Sequence, residues 1–142
     1  MTIKQLDITD YAEIKRVWTE AGLSTRLSGR DSYNNLKNQL NSDKVTILAF
    51  ESGGEIRGLV LLSHDERKGW INRLAVVPRY QRQGIASQLL KASENFFLEQ
   101  GIEIFVTLIE AENEISINCF EKNGYKYWDN IRYYSKRARD DI

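Results

Sequence analysis

The sequence predicts an α/β fold built on one mixed sheet, and three features carry that prediction. β-Branched and aromatic runs alternate with segments whose apolar residues recur at helical spacing, and two of the runs are joined through a glycine pair. A long amphipathic helix is then followed by a run that is apolar on both faces. The 142 residues suit one domain spanning 1–142, because a chain of this size buries most of its surface on folding.

Residues 2–8 alternate as a first strand. Asp10 is placed to cap a helix whose apolar face is Ile14, Val17, Trp18 and Ala21, and Gly22 ends it. A polar stretch from Ser24 to Arg30 leads to a short helix near Asp31 to Asn41, marked by Leu36 and Leu40. Val45–Glu51 and Ile56–His64 read as an antiparallel hairpin, since Ser52-Gly53-Gly54 supplies the positive-φ freedom of a tight turn. Trp70–Val77 is the next strand, and the loop Pro78–Gln83 follows it.

A helix from about Gly84 to Gln100 carries Ile85, Leu89, Leu90, Phe96 and Phe97 on one face, with Gly101 as its C-terminal cap. Ile102–Ile109 is expected to be a central strand covered by helices on both sides. Asn113 then caps a helix ending at Gly124, and Tyr125–Asp129 and Ile131–Lys136 are expected as two aromatic closing strands.

Composition narrows the function. Twenty basic residues balance twenty acidic ones, so neither nucleic acid nor an acidic membrane surface is an expected partner. No run approaches the roughly 18 apolar residues of a membrane helix, and the first residues lack the apolar run of a signal peptide. The lone Cys119 fits a reducing compartment, which reads as cytoplasmic. His64 and Cys119 are too few for a zinc site, so no metal is expected. A Ser-His-Asp triad would rest on His64 alone, which reads instead as a solvent-facing residue at a strand end.

The informative stretch is Leu74-Ala-Val-Val-Pro-Arg-Tyr-Gln-Arg-Gln-Gly-Ile-Ala-Ser87, a strand that turns at the only proline and opens into a helix. The first amides of a helix lack intrahelical acceptors and sit at the positive end of its dipole, so this is a place for a pyrophosphate. Gly84 and Ala86 permit close approach, and Arg79 and Arg82 add charge worth on the order of 1 kcal/mol each after screening. The glycine patterns of a P-loop and of a dinucleotide fingerprint are both missing.

Leu74-x-Val76-x-Pro78-x-x-Gln81-x-x-Gly84-x-Ala86 resembles motif A of the GNAT N-acetyltransferases, and Asn113-x-x-Ser116-x-x-x-Phe120-x-Lys122-x-Gly124-Tyr125 resembles their motif B. The resemblance covers nearly the whole chain. It implies an acyl-CoA N-acyltransferase fold, with a mostly antiparallel sheet of six to seven strands and helices on both faces. It also implies acetyl-CoA as co-substrate, an amine acceptor on a small metabolite or a protein N-terminus, and direct attack on the thioester. By the same resemblance, the backbone of Leu74, Ala75 and Val76 pairs with the pantetheine amides, Arg82, Gln83, Gly84, Ile85, Ala86 and Ser87 hold the pyrophosphate, and Gln81 belongs to the same cofactor-binding set. Asn113 reaches the pantetheine arm and Phe120 lies near the sulfur. Similar proteins commonly dimerise through their terminal strands, which makes a homodimer a candidate assembly.

The resemblance breaks where protons move. The usual donor to the departing thiolate is a tyrosine where this chain has Phe120, and Leu108 stands where some relatives carry a glutamate base. Glu110, Tyr125, Tyr127 and Tyr134 are the replacement candidates, although Glu110 also suits a helix N-terminus and the tyrosines suit packing. Catalysis by positioning alone, which can supply roughly 7 to 11 kcal/mol, is a second possibility. A coenzyme-binding regulatory module without turnover is a third. Cys119 reads as a small core residue rather than a nucleophile. Arg26 and Arg30, in the stretch that lines the acceptor cleft of similar proteins, are placed to grip a carboxylate or phosphate.

Overall fold

The computed structural model describes residues 1–142. The order is β1 (Thr2–Leu6), α1 (Tyr11–Glu20), α2 (Tyr33–Asn41), β2 (Val45–Ser52), β3 (Glu55–His64), β4 (Gly69–Val76), α3 (Ile85–Glu99), β5 (Phe105–Val106) and α4 (Glu114–Lys122). The strands lie in sequence order in one sheet. β1 through β4 pair antiparallel, and β4 pairs parallel with β5.

Strand alternation distributes the core over both faces. Ile47 and Ala49 of β2 point to the side covered by Ile14, Val17 and Trp18 of α1 and Leu36 of α2. Leu48 and Phe50 point to the side covered by Leu89, Leu90 and Phe97 of α3 and Phe120 of α4. Fully burying a Val, Leu, Ile or Phe side chain among these contributes about 1.5 to 3 kcal/mol. At Gly58 an added Cβ would stand 3.0 Å from the Ala75 carbonyl oxygen and 3.1 Å from Ile85, so this glycine lets the start of α3 press onto β3 and β4. No helix is long and apolar enough to cross a membrane.

Three expectations need correction. The sheet has five strands rather than six or seven, because 125–136 forms no ladder: Tyr127, Trp128, Ile131, Tyr133 and Tyr134 are all exposed, and the backbone bonds there are local ones, Tyr125 N–H to Phe120 O at the end of α4 and Ile131 N–H to Trp128 O. Aromatic content marks a segment able to fit a pleated surface, not one that has found a partner. The run 102–109 is not a central strand. Only Phe105 and Val106 pair, with Gly69 and Trp70, and Ile104 and Leu108 are more than half exposed.

Helix starts also differ. Asp10 makes no side-chain bond to α1; it closes a reciprocal cap with Asp7 around the preceding 3-10 turn, and α2 begins at Tyr33 rather than near Asp31, with Ser32 as its cap. Asp31 is instead buried, at 4 % exposure, in an ion pair with Arg73.

Candidate active site

β4 builds the first wall. It gains a residue opposite β3, since Leu59 faces Ala75 while Leu61 faces Asn72, and Arg73 in the bulge takes φ 42°. Asp31 holds that bulge: Arg73 Nη2 donates to Oδ2 at 2.8 Å, while Nη1 lies 2.8 Å from Oδ1 off the hydrogen-bonding axis. The Arg73 guanidinium also stacks 4.7 Å over the Trp18 ring. Asp31 Oδ2 further accepts the Arg26 amide at 2.6 Å, and Tyr11 Oη donates to the Asp31 carbonyl at 2.7 Å. The loop before α2 is thereby fastened to the middle of β4.

Beyond the bulge, β4 has an open edge. β5 pairs only with Gly69 and Trp70, and Thr107 Oγ1 donates to Ile71 O at 2.9 Å before the chains diverge. Leu74, Ala75 and Val76 therefore have β3 on one side and no strand on the other. Val77 N–H donates to Arg57 O on β3 at 2.9 Å, so by alternation the Val76 groups point to the free edge, where Gln81 Nε2 donates to Val76 O at 3.2 Å.

The second wall is the turn into α3. Pro78–Tyr80 forms a single 3-10 turn pinned to the β2–β3 hairpin: Tyr80 Oη donates to Glu55 Oε2 at 2.6 Å, and the guanidinium groups of Arg57, at 4.2 Å, and Arg79, at 4.9 Å, stack on its ring. The Tyr80 hydroxyl, with Arg79, holds the Glu55 carboxyl below the usual carboxylate range. Arg79 is occupied by Glu55 and by Glu20 at 3.6 Å, which removes it from the phosphate-attracting role expected from sequence.

Arg82, at φ 64°, and Gly84, at φ 81°, then turn the chain so that the backbone amides from Arg82 through Ser87 meet no acceptor within the protein. Alternating left-handed residues make such runs concave and anion-seeking. An added Cβ at Gly84 would touch nothing within 4 Å, so the space before these amides is open. Unpartnered donors, a helix N-terminus and free volume are what a diphosphate requires, and the residues fit that group. Asn123 Nδ2 donates to Ser87 Oγ at 3.1 Å and ties the end of α4 to this turn.

The proposed proton carriers do not converge. Tyr125 is half-buried, stands edge-on to Phe120 at 5.0 Å and donates to Glu94 Oε2 at 2.8 Å; burial and then Glu94 push its hydroxyl pKa well above the usual value. Its proton is therefore directed at Glu94. Tyr127 and Tyr134 are exposed, and so is Glu110, at the end of the segment that diverges from β4. Phe120 lies in the core at 4 % exposure. Asn113 uses Oδ1 to accept the Ser116 amide at 3.1 Å, capping α4 as expected.

Burial raises the half-buried Cys119 thiol, as suits an inert core residue. His64 accepts the Glu66 amide on Nδ1, leaving Nε2–H for Asp43 O at 3.1 Å, so neither nitrogen serves a serine. Arg26 and Arg30 are both exposed. Sequence reasoning missed the Asp31–Arg73 pair; its partners are 42 positions apart and neither belongs to a local pattern.

The family model described as "Acetyltransferase (GNAT) family" matches residues 11–125. An acetyltransferase of Sodalis glossinidius (strain morsitans) is 26% identical over 141 residues, which is 99% of this chain and 98% of that protein. Among solved structures, AAC(6')-Iy in complex with the bisubstrate analogue CoA-S-monomethyl-acetylneamine superimposes with TM-score 0.81 at 17% identity, covering 96% of this chain and 97% of that one. An aminoglycoside acetyltransferase from an uncultured soil metagenomic sample gives TM-score 0.82 at 19% identity, over 97% and 96% of the two chains. These likenesses extend the shared fold past residue 125. With its splayed β4 and β5, its unpartnered turn into α3 and a family match across most of its length, the chain belongs to the GNAT acetyltransferase family and is an acetyl-CoA-dependent N-acetyltransferase.

Proposed function

We propose that this chain acetylates a primary amine, on a small metabolite or a protein N-terminus, in the cytoplasm. The observation that carries the reading is the run of acceptor-less amides from Arg82 to Ser87 beside the free edge of β4. Those amides, with Gln81 alongside, bind the diphosphate, and Leu74–Val76 align the pantetheine; Gln81 releases Val76 O when a ligand amide takes its place. Acetyl-CoA supplies an activated acyl group on sulfur. The amine nitrogen gains the acyl carbon as the C–S bond breaks, with one proton leaving nitrogen and one reaching the thiolate.

Acceptor basicity decides how much help the protein must give. Neutralising an alkylamine of pKa near 10.4 at pH 7 costs about 4 to 5 kcal/mol, and an α-amine near 7.7 to 8.0 about 1. With Tyr125 committed to Glu94 and Phe120 lacking a proton, Glu110 is our choice for the group that takes the amine proton. Glu110→Gln is expected to lower kcat/KM at least tenfold with acetyl-CoA affinity retained, whereas Tyr127→Phe is expected to change it less than threefold. A flat series through Glu110, Tyr127 and Tyr134 would leave catalysis to positioning. Free-thiol release from acetyl-CoA with a panel of amines tests the function itself; tight coenzyme binding without release for any acceptor would favour a regulatory coenzyme-binding module.

A further inference from the structure

An open cavity of about 700 Å³ lies between α2 and the C-terminal segment, and every charged side chain lining it is basic: Arg30, Lys136, Arg137 and Arg139. Two of these are engaged, Arg137 with the backbone oxygen of Ile142 and Arg139 with Asp141 at 3.0 Å. Arg30 and Lys136 pair with no acidic group. Asn35 Nδ2 donates to Gly29 O at 2.7 Å and Gln39 Nε2 to Arg30 O at 2.9 Å, so α2 holds the turn that carries Arg30. Arg26, by contrast, does not line the cavity.

The cavity is linked to the reaction region through the chain itself. Arg30 precedes Asp31, and the Asp31 carboxylate grips Arg73 in the β4 bulge, directly before the open edge at Leu74–Val76. A group anchored at Arg30 thus lies next to the loop that is fastened to the proposed thioester strand.

We infer that this cavity receives a carboxylate or phosphate carried by the acceptor, so that the substrate class is a small amine bearing an anionic group. This rests on the coenzyme and acceptor reading proposed above. Two unpaired cations attract such a molecule and repel a polyamine, in contrast to the aminoglycosides of the structurally similar enzymes. Guanidinium also matches a carboxylate or phosphate through paired donors, which makes Arg30 the stronger anchor.

The test compares 3-aminopropylphosphonate, β-alanine, propylamine and sisomicin as acceptors, by thiol release at fixed acetyl-CoA. The anionic amines are expected to exceed propylamine at least tenfold in kcat/KM, with sisomicin the poorest. That ratio should fall below threefold in Arg30→Gln/Lys136→Gln and shrink in high salt. The better of the two anionic acceptors tells phosphate from carboxylate recognition. Propylamine or sisomicin used as well as the anionic pair, or a ratio unmoved by the double substitution, overturns the inference.

If no amine is turned over, calorimetric titration of 3-aminopropylphosphonate, with and without CoA, gives the reading. Binding that is lost in the double variant supports the anion site, and no binding or unchanged binding overturns it. Acetyl-CoA affinity, measured on the same samples, reports separately on the coenzyme site.

Discussion

Gly84→Trp weakens acetyl-CoA binding at least tenfold, about 1.4 kcal/mol, in a calorimetric titration. Gly84 precedes α3 with φ 81°, and the volume in front of it is open. An indole placed there occupies the space the diphosphate needs and screens the amides from Arg82 to Ser87. A left-handed non-glycine residue also costs roughly 1 kcal/mol or slightly more, which lowers fold stability. Gly84→Ala separates the two effects, because it carries the same backbone strain with little bulk. Its affinity loss is expected to be under threefold, and equal losses in both variants would mean that strain rather than steric exclusion is being read.

Asp31→Ala destabilises the fold by about 3 kcal/mol in urea denaturation, the low end for removing one partner of a buried ion pair because Arg73 retains 18% side-chain exposure. The loss has several parts. Arg73 keeps its charge without a counterion over the fully buried Trp18, and the Arg26 amide loses its acceptor. The double variant Asp31→Ala/Arg73→Leu recovers part of the loss, since the uncompensated charge goes with the arginine. Additive losses would show that the pair is not energetically coupled. Because the pair fastens the loop before α2 to the β4 bulge, Asp31→Asn should raise the acceptor KM more than it changes acetyl-CoA affinity.

How much of this was legible in the sequence depended on whether the determining contacts were local. The turn into α3 was readable because each part lies within a few residues: Pro78 ends the strand, Gly84 supplies a left-handed residue, and Ile85, Leu89 and Leu90 set the buried face. The β2–β3 hairpin was readable through Gly53 and Gly54 for the same reason. Arg79 was misjudged because its partners, Glu20 and Glu55, come from α1 and β3.

The terminal aromatics and the run 102–109 looked like strands because propensity reports fitness for a sheet and is blind to pairing. The divergence of β5 from β4, which opens the proposed pantetheine edge, left no local signal. Asp31 looked like a helix start by position, and only the folded chain brings Arg73 to it.

The amide resonances of the turn into α3 report directly on whether that turn holds the coenzyme. In 15N–1H correlation spectra recorded as CoA is added, the largest shifts are expected at Arg82 through Ser87, with a second set at Leu74 to Val76. CoA binding that leaves those resonances in place and moves a different set would contradict the assignment of this turn.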